Sequence, residues 1–255
     1  MNNNLRNSIL DWLNQIIGAQ APILTLAPVT INGRYSNPYE STRTTIQNQI
    51  GSNIYLSFTR RTAREIRKRA NTTGHEKSEL SLEGPGRNHF ECAHLNHKKE
   101  TSFYDDPRNG MLIDVREHLS QHILFERHSE LIGLNIHQNN QAINGIIDRI
   151  KRRASRLGLR LTRGQSIQTL RNEIEASLNQ EKNLWKKFFV FMVLINKNEL
   201  PQDLTDVDRI LSIYEFDLDN PNFYAQVETL LNNPLLITNN LHIWHSYVNS
   251  RTIEQ

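Results

Sequence analysis

Between residues 90 and 125 the chain gathers four histidines and one asparagine that could do chemistry: His94, His97, Asn109, His118 and His122. His118 and His122 stand four residues apart. On a helix that spacing puts both imidazoles on one face, one turn apart. Two such nitrogens can reach one divalent ion at about 2.0–2.1 Å. A histidine elsewhere in the cluster titrates near neutral pH and can take a proton from water. A metal-assisted hydrolysis is the chemistry that this set of residues suggests.

The pattern around these residues supplies elements to hold them. Residues 90–95, FECAHL, alternate well enough for a strand. A polar excursion follows, then the turn signal Pro107-Arg108-Asn109-Gly110 and a second short strand at Met111-Leu112-Ile113. From Asp114, Val115, Leu119 and Ile123 anchor an amphipathic helix. In the order strand, loop, strand, helix, a histidine at the end of the first strand can converge with the helical pair.

The segments AHLNH, YDDPRNG and EHLSQH resemble the HNH nucleases of the ββα-metal superfamily. His94 precedes Asn109 by 15 residues, Asn109 precedes His118 by nine, and the resemblance covers roughly residues 86–127. It implies that His94 is the general base toward a scissile phosphate and that Asn109 braces the loop. It also implies that His118 and His122 bind a divalent metal ion, which the sequence leaves open among Mg²⁺, Mn²⁺, Zn²⁺ and Ni²⁺. Many members carry a ligand immediately before the base, and here that residue is Ala93. His97 is the best replacement by proximity, ahead of Cys92 and Asn96.

The flanking sequence is segregated by charge. Formal net charge is +5 over residues 1–90, −2 over 91–125, +6 over 126–187 and −6 over 188–255. Basic arms on either side of a histidine-rich centre suggest a nucleic-acid surface. In the first arm, an expected helix at 59–70 carries Arg60, Arg61, Arg64, Arg67 and Lys68. In the second, Lys151, Arg152, Arg153 and Arg156 follow a run of isoleucines at helical spacing, with Arg149 on the same expected outer face. Apart from Arg149, these residues are the expected contacts to double-stranded DNA.

The expected fold class is α+β, with a ββα-metal nuclease core embedded in a helix-rich chain. Its segments are a mixed N-terminal part (1–85), the core (86–127) and a helical C-terminal part (128–255). The C-terminal part ends in an acidic tail that could serve a homodimer. Helices are expected at 5–17, in one or two pieces over 167–197, and at 203–214, 222–231 and 241–248. Residues 71–88 read as a linker, and 131–144 as an irregular start to the isoleucine helix. His242 and His245, three apart near Trp244, lack a third partner and read as structural.

A single cysteine, Cys92, excludes an internal disulfide and a C-x-x-C zinc ribbon. The N-terminal residues lack the apolar core of a signal peptide, so a cytoplasmic setting is expected. The apolar run FFVFMVLI is far short of the roughly 20 residues of a membrane span. The leading expectation is restriction-type DNA cleavage. A non-catalytic nucleic-acid-binding protein and a structural zinc protein are the alternatives.

Overall fold

The computed structural model describes residues 30–31, 34–35, 58–71, 77–83, 90–153, 165–200 and 206–252. The expected helix at 5–17 and Arg156 lie outside these residues, as does the side chain of Arg153. The chain divides into two compact units, residues 1–56 and 57–255. In the first, β1 (Thr30–Ile31) pairs antiparallel with β2 (Arg34–Tyr35).

The second unit is mixed and mostly helical. It begins with α1 (Arg60–Ala70), whose N-cap Thr59 accepts a hydrogen bond from the Thr62 backbone N–H. The two-stranded antiparallel sheet follows, β3 (Phe90–His94) with β4 (Gly110–Asp114), joined through a 3₁₀ turn at Pro107–Asn109. α2 (Val115–Leu124) leaves β4 directly. Asp114 and Glu117 form a capping box there, so the turn from strand into helix is fixed by two reciprocal hydrogen bonds.

Helices make up the rest of the unit: α3 (Ile136–Arg153), α4 (Ile167–Ser177), α5 (Asn179–Asn196), α6 (Val207–Ile213), α7 (Pro221–Asn232), α8 (Leu235–Thr238) and α9 (Leu241–Thr252). The long pattern over 167–197 is therefore two helices, broken at Leu178. None of the helices among the described residues is long and apolar enough to cross a membrane.

Alternation along β3 gives the sheet two different faces. Phe90 and Cys92 face α1, where Phe58, Ile66 and Leu112 complete a small apolar cluster. Ala93 faces the main core with Met111 and Ile113. That core is built around α5, whose Trp185, Phe188, Phe189 and Phe191 are fully buried. Each such side chain contributes roughly 1.5–3 kcal/mol on burial, so the apolar run is the keel of the unit. Residues of 86–127 and of 128–255 share this core.

A third cluster joins Val115 and Leu119 of α2 to Ile143, Ile146, Ile147 and Ile150 of α3. α3 starts earlier than its isoleucines indicate. Asn135 caps it by accepting from the Gln138 N–H at 2.8 Å, while the Gln138 side chain accepts from the Asn135 N–H at 3.2 Å. Its first turns are polar because one of their residues, Asn139, is buried against a histidine rather than against hydrocarbon.

The described part of the expected linker 71–88 is a structural strap. Ser78, Glu79 and Leu80 are buried. The Glu79 carboxylate accepts from Arg69 at 2.6 and 2.8 Å and from the Leu112 N–H at 2.9 Å. On the other side, Trp244 donates to the Leu80 carbonyl at 2.8 Å, and His245 donates to the Glu79 carbonyl at 3.0 Å. His245 is thus structural.

Gly133 has a φ of +77°, and a Cβ there would lie 2.5 Å from the Lys98 backbone nitrogen. This contact sits where the 131–134 segment receives the His97 N–H on the Ile132 carbonyl, at 2.7 Å. Gly133→Ala should destabilise the unit by about 2 kcal/mol, from left-handed backbone strain plus the clash. Denaturant unfolding measures this, and an unchanged midpoint would show that the turn tolerates a side chain.

Candidate active site

His94 closes β3 with its ring between Phe58 and Tyr104, stacked on both at centroid distances of 3.7 and 4.6 Å. It is 4% exposed. Burial is the main reason its pKa falls to about 3, and the nearby His118 adds to the fall. A hydrogen bond to the Tyr104 carbonyl pulls the other way. A carbonyl can only accept, so the ring nitrogen facing it carries the proton. Nε2 has no hydrogen-bond partner and is sealed from solvent.

His118 and His122 project from one face of α2, with centroids 5.1 Å apart. His118 Nδ1 lies 2.9 Å from Glu91 Oε2. Glu91 also accepts from Arg149 of α3 at 2.8 and 3.2 Å. Burial would raise the Glu91 pKa, but the His118 hydrogen bond and the charges of His118 and Arg149 outweigh it and leave the pKa at about 2. An ionised carboxylate is acceptor-only, so His118 Nδ1 donates to it. The Nε2 of His118 is buried without a partner.

His122 is buried, with Nδ1 2.8 Å from Asn139 Oδ1. Burial first and the His118 charge second push its pKa down to about 3.

His97 links the two groups. Its ring centroid is 5.2 Å from His94 and 5.2 Å from His122. Its Nε2 is the third sealed imidazole nitrogen without a partner. Burial and then the surrounding histidines hold its pKa well below the ordinary value. The four rings form a chain in the order 94, 97, 122, 118. Two imidazoles that share an ion in a tetrahedral arrangement, at about 2.0–2.1 Å from each nitrogen, keep their centroids roughly 5 Å apart. Neighbouring rings here have that spacing. Among the described residues, however, no three His, Cys, Asp or Glu side chains are already closed around one point.

The residues near Ala93 have other duties. Ala93 is buried in the main core. The Cys92 thiol donates to the Ala63 carbonyl at 3.7 Å, on the α1 side of the sheet. Asn96 donates to the Leu231 carbonyl at 2.9 Å and accepts from the Lys98 N–H at 2.8 Å. Of these neighbours, His97 is the one with a ring nitrogen that has no hydrogen-bond partner.

Asn109 braces the loop. Its Oδ1 accepts from the Asn96 N–H at 2.9 Å, and its Nδ2 donates to the Asn96 carbonyl at 2.8 Å and the Tyr104 carbonyl at 3.4 Å. Because Tyr104 also receives the His94 ring, the amide fixes the carbonyl that sets the orientation of that imidazole.

The cations expected at a DNA surface divide into two kinds. Arg60, Arg61, Arg64, Lys68, Lys151 and Arg152 are exposed. Arg61 pairs with Glu65, and Lys151 donates to the Gln165 carbonyl at 2.9 Å. Arg67 is half-buried and donates to the Phe90 carbonyl at 3.2 Å, so it braces β3. Arg149, expected on the outer face of its helix, turns inward to Glu91 instead. Its mate is a carboxylate distant in sequence, which helical spacing does not reveal.

Glu91, Asn139, Phe58 and Tyr104 are the residues of this site that sequence reasoning missed. Glu91, three positions before His94 on the same strand, and Tyr104, at the head of YDDPRNG, lay close enough to be suspected. Compared with protein-family models, with curated proteins and with solved structures, the chain matches none.

A buried imidazole that must stay neutral makes folding pH-dependent. The folded pKa of His94, about 3, lies below the ordinary value of 6.5. Its contribution is therefore intact above pH 6.5 and is lost as pH falls toward 3, because the unfolded chain binds the proton first. His94→Phe keeps an aromatic ring in the stack and removes the titration. In metal-free unfolding series, the variant should gain on the wild type by up to roughly 1.4 kcal/mol per pH unit below pH 6.5. A constant difference between pH 7 and 4 would contradict a neutral buried His94.

Proposed function

We propose that this chain is a metal-dependent HNH-type endonuclease that hydrolyses phosphodiester bonds in double-stranded DNA. One observation carries the reading: His94, His97 and His118 hold buried, unpartnered Nε2 atoms within a chain of rings at shared-ion spacing. Leaving three such atoms unsatisfied is costly in a folded interior, and each is a metal ligand or base in waiting. The β3–β4–α2 order and the Asn109 brace accord with a ββα-metal core.

On this reading His118, His122 and His97 hold the ion, and His94 remains as the base. A divalent ion bound there supplies Lewis-acid stabilisation of negative charge on the phosphate and on the leaving oxygen. His94 keeps a lone pair on Nε2 across the neutral range, because burial suppresses its charging. An anionic phosphate arriving beside the ring raises its proton affinity and lets it take the proton of the attacking water. Phe58 and Tyr104 hold the ring plane while this happens.

The exposed cations Arg60, Arg64 and Lys68 of α1 and Arg152 of α3 belong to the two elements that brace β3, through Arg67 and Arg149 respectively. Contacts from these helices to the DNA backbone would place a strand across the end of β3. Because each centre attacks one strand, double-strand cutting calls for a homodimer, which fits a restriction-type role. The burial of His94 favours one second reading, a closed structural zinc site of four histidines.

Plasmid cleavage across Mg²⁺, Mn²⁺, Zn²⁺ and Ni²⁺ separates the readings. The wild type should cut with at least one metal. His94→Ala should lose cutting while still binding metal and DNA, and His118→Ala should lose both metal and cutting. Stoichiometric zinc, unfolding on chelation and no cleavage on methylated or unmethylated DNA would instead establish the structural site. In binding titrations, the double variant Arg64→Gln/Lys68→Gln should reduce the slope of log affinity against log salt by about 2. An unchanged slope would mean that this face of α1 does not touch phosphate.

A further inference from the structure

α3 lies outside the strand–strand–helix segment, yet it supplies Asn139, whose side chain is fully buried against the last turn of α2. Asn139 makes two hydrogen bonds to one residue. Its Nδ2 donates to the His122 backbone carbonyl at 2.9 Å, and its Oδ1 faces His122 Nδ1 at 2.8 Å. The first bond decides the second. A carbonyl only accepts, so the amide nitrogen must point at it, and the amide oxygen must then face the ring. An amide oxygen also only accepts, so His122 Nδ1 must carry the proton. The lone pair is thereby confined to Nε2.

We infer that Asn139 is a positioning residue of the metal centre, which locks His122 in the tautomer and ring orientation that present Nε2 as a ligand. The inference rests on the metal reading above and adds to it a determinant in a distant helix. The capped start of α3 holds Asn139 in place: its own N–H donates to the Asn135 carbonyl at 2.9 Å, and Asn135 is the residue that pairs with Gln138. The two helical histidines are thus held differently. His118 leans on a carboxylate and His122 on a neutral amide, so the same ion would be met by one strongly and one weakly polarised imidazole.

The test titrates Co²⁺ into the metal-stripped full chain and follows the visible d–d absorption, with calorimetry for Zn²⁺. Asn139→Leu removes the acceptor, whereas Asn139→Asp keeps an oxygen on Nδ1. The leucine variant should bind Co²⁺ about 10- to 100-fold more weakly with an altered spectrum. The aspartate variant should retain wild-type affinity within an order of magnitude. Wild-type affinity and spectrum in the leucine variant, or equal losses in both variants, would overturn the inference.

Thermal melting of the metal-free proteins shows whether the leucine variant folds. If it does not, or if the wild type takes up no Co²⁺, ¹⁵N chemical shifts of the His122 ring in the metal-free wild type decide the matter. A protonated Nδ1 with a bare Nε2 sustains the locking, and the opposite tautomer refutes it. Absence of Co²⁺ uptake by the wild type would by itself overturn only the metal reading.

Discussion

Burying several imidazoles side by side is the constraint to which the rest of this unit answers. A charged imidazolium in a low-dielectric interior is expensive, and adjacent ones repel each other. Burial holds His94 and His122 neutral, and a neutral ring needs an acceptor for its one N–H. His94 has the Tyr104 carbonyl, His118 the Glu91 carboxylate and His122 the Asn139 amide. Each acceptor comes from a different element, so satisfying the rings ties the loop to β3, and β3 and α3 to α2. The cost of that arrangement is a set of bare nitrogens, and bare nitrogens are what a metal or a proton requires.

The supports reach outward in layers. Glu91 is charged and half-buried, and it is held there by Arg149. Glu117 caps α2 with a carboxylate whose pKa burial raises to about 7, against hydrogen bonds from Ser78 and Ser81 and the Asp114 N–H that lower it. The strap containing Ser78 and Glu79 is gripped by Arg69 on one side and by Trp244 and His245 on the other. A small sheet of two five-residue strands has little stability alone. Here α1 covers one face and the α5 core the other, which gives the short strands a rigid frame.

Some of this was legible in the residues themselves. The i, i+4 pair, the Pro-Arg-Asn-Gly turn and the alternation of Phe90 to His94 are local signals, and the strand, turn, strand and helix they indicate are present. Local chemistry fixes such features: capping by Thr59 and Asp114, apolar period and backbone preference. Signals failed where a polar residue was buried by a distant partner. Arg149 read as an outer-face cation, the polar start of α3 as irregular, and residues 77–83 as part of a linker. In each case the deciding contact joins positions far apart in sequence, such as Arg149 with Glu91 or Trp244 with Leu80.

By itself the sequence determined the inventory and the local geometry: which residues can bind metal or move a proton, and that two of them share a helical face. Only the tertiary structure decided what each group can do with its nitrogens. It assigned Cys92 and Asn96 to other bonds and left His97 with a bare one. It turned Arg67 and Arg149 from surface cations into braces, and it placed acceptors at Nδ1 of His94, His118 and His122. Hydrogen-bond satisfaction in a buried site depends on partners that packing brings together, and periodicity along the chain carries no record of them.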